Sequence, residues 1–444
     1  MNPILAVAGR PVLHSMSPEI FRELFRAEGL EAAYTRVAAD GAAEAIGLFR
    51  SLEMRGMNLT APFKEEAAEL VDELTPDARA LGAVNCLIPL EGGRILGANT
   101  DGQGVLGALR GRGVDPAGKR CLVIGAGGAG KAAARALVAA GAYVVVANRT
   151  LGKARQLAAT LGCEAAGLED LRSLARDARI IVSTLASDDV PDPEAWLPPA
   201  AGGYQPPAIL DADYKRGSLA RCAAARGFVV ATGADWLVSQ ALPAYELFMG
   251  RAAGLTAALA SPAAYRRDPA NRKVALIGLM GAGKSQSGQV LAELLGTPFI
   301  DADAEIEADA GLPVSGIFER EGETGFRARE LRVLDRITSA PGPAVLAAGG
   351  GAAAFARSAG LLRERCLCVW LYVPPATAAA RTGGDEVAGV RPLLQGSDRA
   401  AKLEALERER RSSYAACSEL LVSTQGRDAR AVAEVIHGEI DLVS

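Results

Sequence analysis

The most specific chemical signal in the sequence is a glycine-rich run that ends in a lysine and a serine. Residues 278–285, GLMGAGKS, match the pattern GxxxxGK[ST], which chance would produce about 0.01 times in a chain with so few lysines. The backbone N–H groups of such a loop cradle phosphates, its lysine reaches the β/γ-phosphates, and its serine ligates Mg²⁺. The run predicts phosphoryl transfer from ATP, and the predicted nucleotide contacts are Gly278, Gly281, Gly283, Lys284 and Ser285, with Ser285 also at the metal.

A second glycine loop predicts a dinucleotide site. Residues 125–130, GAGGAG, match GxGxxG, but a chain this rich in glycine would show the pattern by chance about 0.6 times. Its context adds weight, because an apolar strand precedes the loop and a helix follows, as pyrophosphate binding at a helix N-terminus requires. The predicted cofactor contacts in this loop are Gly125, Gly127, Gly128 and Gly130.

The residues that follow the next apolar run favour NADP over NAD. An NAD site would normally carry an acidic residue about 20 positions beyond the loop, whereas this chain has Asn148, Arg149 and Thr150 there. A guanidinium can pair bidentately with a 2′-phosphate. Arg149 is therefore the predicted determinant of NADP binding, and the alternative is a solvated surface arginine.

The composition excludes several other kinds of chemistry. The chain has two histidines, His14 and His437, so a histidine-type zinc site is nearly excluded, as is a Ser-His-Asp triad unless His14 serves it. Proton transfer must then fall to Lys, Asp, Glu or Tyr. A net charge of −4 argues against nucleic-acid or anionic-membrane partners. With no CxxC pair, signal peptide or long apolar run, we expect a cytoplasmic protein acting on small molecules.

The elements that must position these residues alternate between strand and helix, which predicts an α/β fold. Strands are predicted in residues 1–110, and a βαβ opening follows with strands at 121–124 and 143–147. Residues 236–260 are predicted as one or two helices that complete the first domain. A linker is predicted at 261–272 and a further α/β domain of about five strands at 273–444. The predicted domains are thus 1–110, 111–235 and 273–444.

The first 260 residues resemble shikimate dehydrogenase through several separated motifs. These are HSMSP at 14–18, NLTAPFKE at 58–65, GAVN at 82–85, NTDG at 99–102 and LVSQ at 237–240, in the family's order with the glycine loop and the NRT run between them. The resemblance implies a substrate domain plus a Rossmann NADP-binding domain. Within it, Lys64 is implied as the acid–base lysine and Asp101 as its partner.

The same resemblance implies the remaining contacts of that enzyme. Ser15 and Ser17 would bind the substrate carboxylate, although both could also cap the helix that begins near Pro18. Ring hydroxyls would be contacted by Thr60, Asn85 and Gln240, with Tyr214 in the substrate pocket. Gly233 joins the predicted NADP contacts.

Residues 273–444 resemble shikimate kinase. The motifs are the P-loop, DAD at 301–303, GE with FR at 322–327, GGG at 349–351 and RPLL at 391–394. The resemblance implies a P-loop kinase domain with a five-stranded parallel sheet, in which Asp301 holds Mg²⁺ largely through water and Asp303 accepts a hydrogen bond from the attacking hydroxyl. The implied shikimate contacts are Asp303, Arg327, Gly350, Gly351 and Arg410, and the implied nucleotide contacts add Arg381 and the lid residue Arg391.

These observations together predict a bifunctional enzyme of the shikimate pathway. The first part would reduce 3-dehydroshikimate with NADPH, and the second would phosphorylate shikimate with ATP and Mg²⁺. Two alternatives stay open: an NAD-dependent quinate/shikimate dehydrogenase fused to a kinase, and a ligand-sensing regulator built on inactive enzyme folds. The retained Lys64, Asp101, Lys284, Ser285 and Asp303 speak against the regulator.

Overall fold

The computed structural model describes residues 2–185, 189–199, 206–213, 217–253, 273–382 and 398–442. The chain folds into two compact units, Met1–Phe63 with Ala263–Ser444, and Lys64–Pro262. The predicted domain boundaries at 110, 235 and 273 divide the chain differently and stay predictions. Within the described residues, no helix is long and apolar enough to cross a bilayer. Tyr214, Arg391 and the predicted linker at 261–272 lie outside the described residues.

The N-terminal segment of the first unit contains three strands and two helices. β1 pairs in parallel with β2 on one side and with β3 on the other. Every residue of β1 and β2 is buried, since helices cover the parallel strands. The elements are β1 (Ile4–Gly9), α1 (Ser17–Ala27), β2 (Ala33–Ala38), α2 (Ala42–Ser51) and β3 (Gly56–Leu59).

The second unit begins with a small mixed group of strands. β5 and β6 are antiparallel, and β4 runs parallel to β6. Thr75 begins one of the helices by accepting a hydrogen bond from the N–H of Ala78. The elements are α3 (Lys64–Leu70), β4 (Glu73–Leu74), α4 (Pro76–Leu81), β5 (Cys86–Pro89), β6 (Ile95–Ala98) and α5 (Asp101–Gly111).

The rest of the second unit is a parallel sheet with helices on both faces. The six strands follow the order β12-β11-β10-β7-β8-β9 among the described residues, and every strand pair is parallel. This doubly wound order is typical of dinucleotide-binding domains. The elements are β7 (Arg120–Ile124), α6 (Gly128–Ala139), β8 (Tyr143–Ala147), α7 (Leu151–Leu161), β9 (Glu164–Ala166), α8 (Leu171–Asp177), β10 (Ile180–Ser183), α9 (Pro193–Trp196), β11 (Ala208–Asp211), α10 (Ser218–Ala225), β12 (Val230–Thr232) and α11 (Gly233–Met249).

Two hydrophobic clusters lie on the opposite faces of this sheet. Cys121 and Val123 belong to the cluster that contains Trp236, whereas Leu122 and Ile124 belong to the other. Successive side chains of a strand point to opposite faces, so an uninterrupted apolar run serves both clusters. β7 and β8 confirm the strands predicted at 121–124 and 143–147. The glycine loop follows directly after the buried strand β7.

The C-terminal segment of the first unit is an α/β domain whose strands follow the order β14-β15-β13-β16-β17. In the part of this segment that the structure describes, the four strand pairs are all parallel, which confirms the predicted five-stranded parallel sheet. The elements are β13 (Lys273–Ile277), α12 (Lys284–Leu295), β14 (Phe299–Asp301), α13 (Ala302–Ala310), α14 (Val314–Ser339), β15 (Val345–Ala347), α15 (Ala356–Arg365), β16 (Cys366–Tyr372), α16 (Pro375–Arg381), α17 (Arg399–Cys417), β17 (Leu420–Ser423) and α18 (Ala429–Asp441).

One strand pair joins the two segments of the first unit. β17 runs parallel to β2, with Leu421 opposite Val37 and Val422 opposite Ala38. Each of these strands would otherwise present an unpaired edge, and pairing satisfies its backbone groups. The sheet of the N-terminal segment is thus continuous with that of the C-terminal segment.

Candidate active sites

The acid–base pair predicted from the sequence forms inside the second unit. The Lys64 ammonium lies 2.6 Å from Oδ2 of Asp101, and the Lys64 side chain keeps 23% of its exposure while that of Asp101 keeps 5%. Both residues begin helices, α3 and α5. A cation at a helix N-terminus opposes the helix dipole, whereas an anion there is favoured. The N-terminus of α3 therefore disfavours the Lys64 ammonium, and the Asp101 carboxylate stabilises it.

The local prediction around Lys64 is wrong for Pro62. The sequence predicts that Pro62 lies in the first turn of a helix and that Lys64 lies in the same turn. Residues 61–63 instead form a turn, and α3 begins at Lys64. Lys64 is thus in the first turn of the helix, as predicted, whereas Pro62 precedes the helix.

Asp101 is held in place by a network of buried polar groups. The Asn85 side-chain amide donates to Oδ1 of Asp101 at 2.8 Å and to the Thr100 hydroxyl at 3.1 Å. The Asn99 side-chain oxygen accepts from the N–H of Asp101, and the Trp236 indole donates to the backbone carbonyl of Asp101 at 3.0 Å. Sequence reasoning assigned Asn85 to a ring hydroxyl of the substrate, and the structure also gives it the role of orienting Asp101.

Gln240 lies on the face of α11 that packs against α5. A Cβ atom added to Gly104 would come within 2.7 Å of both Gln240 and Trp236, so the glycine permits this close helix approach. Gln240 is thus one helical turn from Trp236, which contacts Asp101. Tyr214, the other predicted pocket residue, falls outside the described residues.

The remaining predicted substrate residues of the dehydrogenase lie in the first unit. The hydroxyls of Ser15 and Ser17 are 3.3 Å apart, and Ser15 Oγ also accepts from the N–H of Ser17. Ser17 is the first residue of α1, and the N-cap residue is Met16, with no side-chain capping hydrogen bond. Neither serine therefore caps the helix, and the binding role of the pair stays a prediction. Thr60 follows β3, and its N–H donates to the carbonyl of Ala8.

The glycine loop between β7 and α6 has the shape of a phosphate cradle. Gly125 adopts φ +111°, and a Cβ atom at Gly130 would lie 2.1 Å from the carbonyl oxygen of Gly125. A Cβ atom added at Gly127 or Gly128 would have nothing within 4 Å, which leaves room for a ligand at the start of α6. An NADP pyrophosphate fits this combination of open space and helix N-terminus. Gly233, also predicted here, is the buried first residue of α11.

The residues after β8 support the predicted choice of cofactor. Asn148 ties the end of β8 to the loop, because its side-chain oxygen accepts from the N–H of Ala126 at 3.2 Å. Arg149 is 82% exposed and lies 3.5 Å from Asp189, which is 56% exposed. An exposed pair of this kind is worth little, so the guanidinium can turn to a phosphate. Thr150 precedes α7 as its N-cap residue.

A cavity of about 730 Å³ occupies the C-terminal segment of the first unit. Its wall includes most of the residues predicted from the kinase motifs. Gly278 is not in the wall, since its backbone faces the carbonyl of Leu371. The predicted residues that line the cavity are Gly281, Gly283, Lys284, Ser285, Asp301, Asp303, Arg327, Gly350, Gly351, Arg381 and Arg410.

The phosphate-loop lysine and the predicted metal residues lie on one side of this cavity. The Lys284 ammonium donates to the carbonyl oxygens of Gly278 and Leu279 at 3.0 and 3.2 Å. The Ser285 hydroxyl donates to Oδ2 of Asp301 at 2.7 Å. A hydroxyl and a carboxylate this close are the hard oxygen donors that Mg²⁺ prefers. The pair fits Mg²⁺, although among the described residues no group of three or more acidic, histidine or cysteine side chains could hold a metal alone.

The spacing of Asp301 and Asp303 after a predicted strand indicates that both project from one side of the strand end, but Asp303 occupies a different position. Asp301 is the last residue of β14 and caps α13, accepting from the N–H groups of Asp303 and Ala304. Asp303 therefore lies in the first turn of the helix. A Cβ atom at Gly349 would be 2.9 Å from Oδ1 of Asp303, which places this carboxylate against the predicted glycine triplet.

Arg327 is sandwiched between acidic and aromatic groups at the other side of the cavity. Its guanidinium donates to Glu330 at 2.9 Å and to Glu323 at 3.3 Å, and it lies 3.9 Å above the Phe355 ring. A Cβ atom at Gly351 would come within 2.5 Å of the guanidinium. Burial raises the pKa of the Glu330 carboxyl above its ordinary value, and the neighbouring guanidinium acts in the opposite direction.

Arg410 and Tyr414, both on α17, form hydrogen bonds to the glycine triplet 349–351. Both donate to the carbonyl oxygen of Gly350, Arg410 at 3.3 Å and the Tyr414 hydroxyl at 2.6 Å. Burial raises the pKa of Tyr414 to about 12, so the hydroxyl stays protonated and keeps donating. Arg410 itself is buried.

Arg381 lies at the end of α16, next to the phosphate loop. It donates to the Thr424 hydroxyl and carbonyl at 3.0 and 2.8 Å and approaches the carbonyl of Gly281 at 3.4 Å. The lid arginine, Arg391, falls outside the described residues, so its assignment stays a prediction.

Several residues in the wall or support of the cavity were not predicted from the sequence, among them Glu330, Tyr414 and Arg427. Glu330 follows Arg327 by one helical turn, a spacing that could have indicated an ion pair. Tyr414 follows Arg410 at i+4 on α17, which also could have indicated a shared helix face. Arg427 stands in a polar stretch without a motif, and no local signal marks it.

Both parts of the chain match known protein families and relatives. Models of the shikimate dehydrogenase substrate binding domain, of shikimate / quinate 5-dehydrogenase and of shikimate kinase match residues 7–87, 110–196 and 280–441. A shikimate dehydrogenase (NADP(+)) of Halorubrum lacusprofundi is 39% identical over 56% of this chain and 93% of its own length. A shikimate kinase of Halorhodospira halophila is 44% identical over 39% of this chain and 94% of its own length.

A solved structure agrees with the first of these relationships. The crystal structure of shikimate dehydrogenase from Aquifex aeolicus is similar at a TM-score of 0.53 and 30% identity, covering 60% of this chain and 98% of that one. The predicted α/β architecture with its Rossmann and P-loop parts is confirmed. The chain is a fusion that belongs to the shikimate dehydrogenase family through its N-terminal part and to the shikimate kinase family through its C-terminal part.

Proposed function

We propose that this chain catalyses two consecutive reactions, the NADPH-dependent reduction of 3-dehydroshikimate to shikimate and the phosphorylation of shikimate by ATP to shikimate 3-phosphate. We call residues 1–260 the dehydrogenase half and residues 273–444 the kinase half. The hydroxyl that the first reaction creates is the one that the second phosphorylates.

The reduction rests on the contact between Lys64 and Asp101. NADPH, when bound at the glycine loop and Arg149, supplies the hydride. Lys64 then donates a proton to the substrate oxygen, and Asp101 keeps the ammonium oriented and accepts from a substrate hydroxyl. Asn85 and Trp236 hold Asp101 fixed, so the pair is preorganised before substrate arrives.

The phosphorylation rests on two arginines, Arg327 and Arg410, that share a cavity with the phosphate loop. Within the described residues, the Nε atoms of Arg327 and Arg410 are buried without a hydrogen-bond partner. Such donors suit a carboxylate, which accepts bidentately from a guanidinium. With shikimate anchored there, Asp303 accepts a hydrogen bond from the attacking hydroxyl.

The charge of the transferring phosphoryl group is met by the remaining residues of the cavity. Lys284 and Arg381 carry positive charge beside the loop, and Arg391 is proposed to add the lid contact. Mg²⁺ at Ser285 and Asp301 would neutralise phosphate charge. The predicted roles of all these residues stay proposals.

One incubation tests both activities together. The purified full-length chain is mixed with 3-dehydroshikimate, NADPH, ATP and Mg²⁺, and shikimate 3-phosphate is measured by mass spectrometry. We expect NADPH oxidation followed by product that depends on ATP. Absence of shikimate 3-phosphate, with added shikimate also left unphosphorylated, would refute the kinase activity, and unchanged NADPH would refute the reductase.

The cofactor preference has its own test. Because a charge-assisted pair with the 2′-phosphate is worth about 1.5–3 kcal/mol, we expect kcat/KM for NADPH to exceed that for NADH by about 10-fold or more. Arg149→Ala should remove most of this preference. A wild-type preference for NADH would instead support the NAD-dependent quinate/shikimate alternative.

A further inference from the structure

The loop that carries Ser15 and leads into Ser17 is contacted by the kinase half. This loop, residues 10–16, connects β1 to α1 in the N-terminal segment of the first unit. The pairing of β2 with β17 brings α18, the last helix of the kinase half, to the same segment. Contacts across this junction join residues that are more than 400 positions apart in the sequence.

Glu439 on α18 makes the most specific of these contacts. One of its carboxylate oxygens accepts from the N–H of Val12 at 2.8 Å and from the N–H of Leu13 at 2.7 Å. Glu439 is 4% exposed, Val12 is fully buried and Leu13 is 8% exposed. Buried N–H groups need a partner, and a charged acceptor makes the stronger bond. This side chain of the kinase half thus satisfies two successive backbone groups of the dehydrogenase half.

Ser15 lies two residues after Leu13, so fixing the backbone at Leu13 also restricts the position of Ser15. The N–H of Ser15 donates to the carbonyl of Val12 at 2.9 Å, and the Ser15 carbonyl accepts from Arg36 at 2.9 and 2.5 Å. Arg36 also pairs with Glu19 at 2.8 Å and approaches the carbonyl of Glu419 in the kinase half at 3.4 Å. The segment from Val12 to Ser15 is therefore fixed at both ends, and Glu439 holds the end opposite Arg36.

We propose that Glu439 is a positioning residue for substrate binding by the dehydrogenase half. By fixing the backbone at Val12 and Leu13, it sets the position of the Ser15 and Ser17 hydroxyls that receive the substrate carboxylate. This inference rests on the proposed function of those serines. Its consequence is that the reductase depends on a kinase-half side chain that touches no substrate of either reaction.

The test uses the full-length chain with three substitutions. Glu439→Ala removes the acceptor, Glu439→Gln retains one acceptor oxygen, and Glu434→Ala is the matched control. Glu434 lies on the same helix, 54% exposed and paired with Arg430. Steady-state kinetics are measured for both reactions with each substrate varied.

We expect Glu439→Ala to raise KM for 3-dehydroshikimate by about 10-fold, because misplaced binding groups weaken substrate positioning. KM for NADPH and the kinase constants should stay within about twofold of wild type, as should every constant of Glu434→Ala. Glu439→Gln should restore KM to within about threefold of wild type, since an amide oxygen still accepts from N–H groups.

Two kinetic outcomes would overturn the inference: an unchanged KM for 3-dehydroshikimate in Glu439→Ala, or an equal loss of both activities, which would indicate a general folding defect. Hydrogen exchange supplies a readout that does not depend on activity. Residues 12–17 should exchange about 10-fold faster in Glu439→Ala, with no change along 429–438. If the wild type cannot reduce 3-dehydroshikimate, the proposed function fails, whereas unchanged exchange at 12–17 refutes the positioning role itself.

Discussion

In each half, the proposed mechanism uses a carboxylate at the start of a helix. Asp101 begins α5 and pairs with Lys64, and Asp303 lies in the first turn of α13 beside Gly349. A helix N-terminus favours the ionised carboxylate. In the proposed mechanism, Asp101 is the partner of an ammonium and Asp303 is the acceptor of a hydrogen bond from a hydroxyl.

Removal of the Lys64 ammonium should abolish reduction alone. For Lys64→Met we expect kcat for 3-dehydroshikimate to fall by about 10²–10⁴, the usual contribution of a general acid. Phosphorylation of added shikimate should continue at the wild-type rate. NADPH absorbance and a coupled ADP assay measure the two, and Lys119→Met serves as the control. Loss of both activities would contradict the assignment.

Asp303 should show the opposite pattern. Asp303→Asn is expected to lower kinase turnover by about 100-fold or more, because the amide is a poor acceptor for the attacking hydroxyl's proton. Reduction should be unaffected. Asp309→Asn on the same helix, where the carboxylate pairs with Arg329, is the matched control. Kinase turnover near the wild-type level in Asp303→Asn would refute its role.

At the level of elements, glycines at strand ends decide how closely charged side chains approach the backbone. The triplet after β15 shows this for two side chains: Gly349 faces Asp303, and Gly351 faces Arg327. The Gly350 carbonyl is held by Arg410 and Tyr414. The triplet is therefore a backbone surface against which charged side chains of the cavity are arranged.

A methyl group at Gly351 should disturb shikimate binding and leave ATP binding intact. Its Cβ would lie 2.5 Å from the Arg327 guanidinium, which must then shift. We expect KM for shikimate to rise by about 10-fold, equivalent to about 1.4 kcal/mol, with KM for ATP unchanged. Isothermal titration with each ligand gives an independent measurement.

Gly360→Ala is the control for this substitution. Gly360 lies inside α15, and nothing lies within 4 Å of an added Cβ atom. Alanine there should stabilise the helix by about 0.5–1 kcal/mol without changing either KM. An unchanged shikimate KM in Gly351→Ala would mean that Arg327 does not hold the substrate carboxylate.

At the level of the whole molecule, the two halves of the fusion share a sheet and several ion pairs within the first unit. Arg427 pairs with Asp40 and Glu44 at 2.6 Å, and Arg411 pairs with Glu53 at 3.0 Å. The Thr35 and Ser418 hydroxyls lie 2.9 Å apart in a buried position. With the β2–β17 pairing, these contacts hold the halves together independently of the chain connection.

Cutting the chain between the halves should therefore not separate them. A protease site introduced within 261–272 would be cleaved in the purified protein, and the fragments would be passed over a size-exclusion column. We expect them to elute together at about micromolar concentration, which requires about 8 kcal/mol of association free energy. Separate elution would show that the junction does not persist without the covalent link.

A charge-reversal substitution gives a second test of the same junction. Glu53→Lys places a cation beside Arg411, whose side chain is 7% exposed. We expect the cleaved Glu53→Lys protein to dissociate at lower protein concentration than the cleaved wild type, because like charges repel at a partly buried site. Glu31→Lys, at another exposed position of the same segment, is the control.

The sequence by itself determined the features that depend on neighbouring residues. The phosphate loop, the glycine loop and the strands that precede them are local patterns, since an apolar run, a turn and a helix start follow from adjacent side chains. The resemblances added Lys64 with Asp101 and Ser285 with Asp301, and the structure brings both pairs into contact.

Only the tertiary structure decided the features that depend on which surfaces pack together. Arg427 carries no motif, and the contact between Tyr414 and Gly350 forms only when distant parts of the chain surround one cavity. Glu439 meets Val12 across 427 positions, and β2 meets β17 because each strand presents an unpaired edge. Contacts at such separations leave no local pattern, since hydrophobic periodicity specifies which face of an element is buried but not which partner buries it.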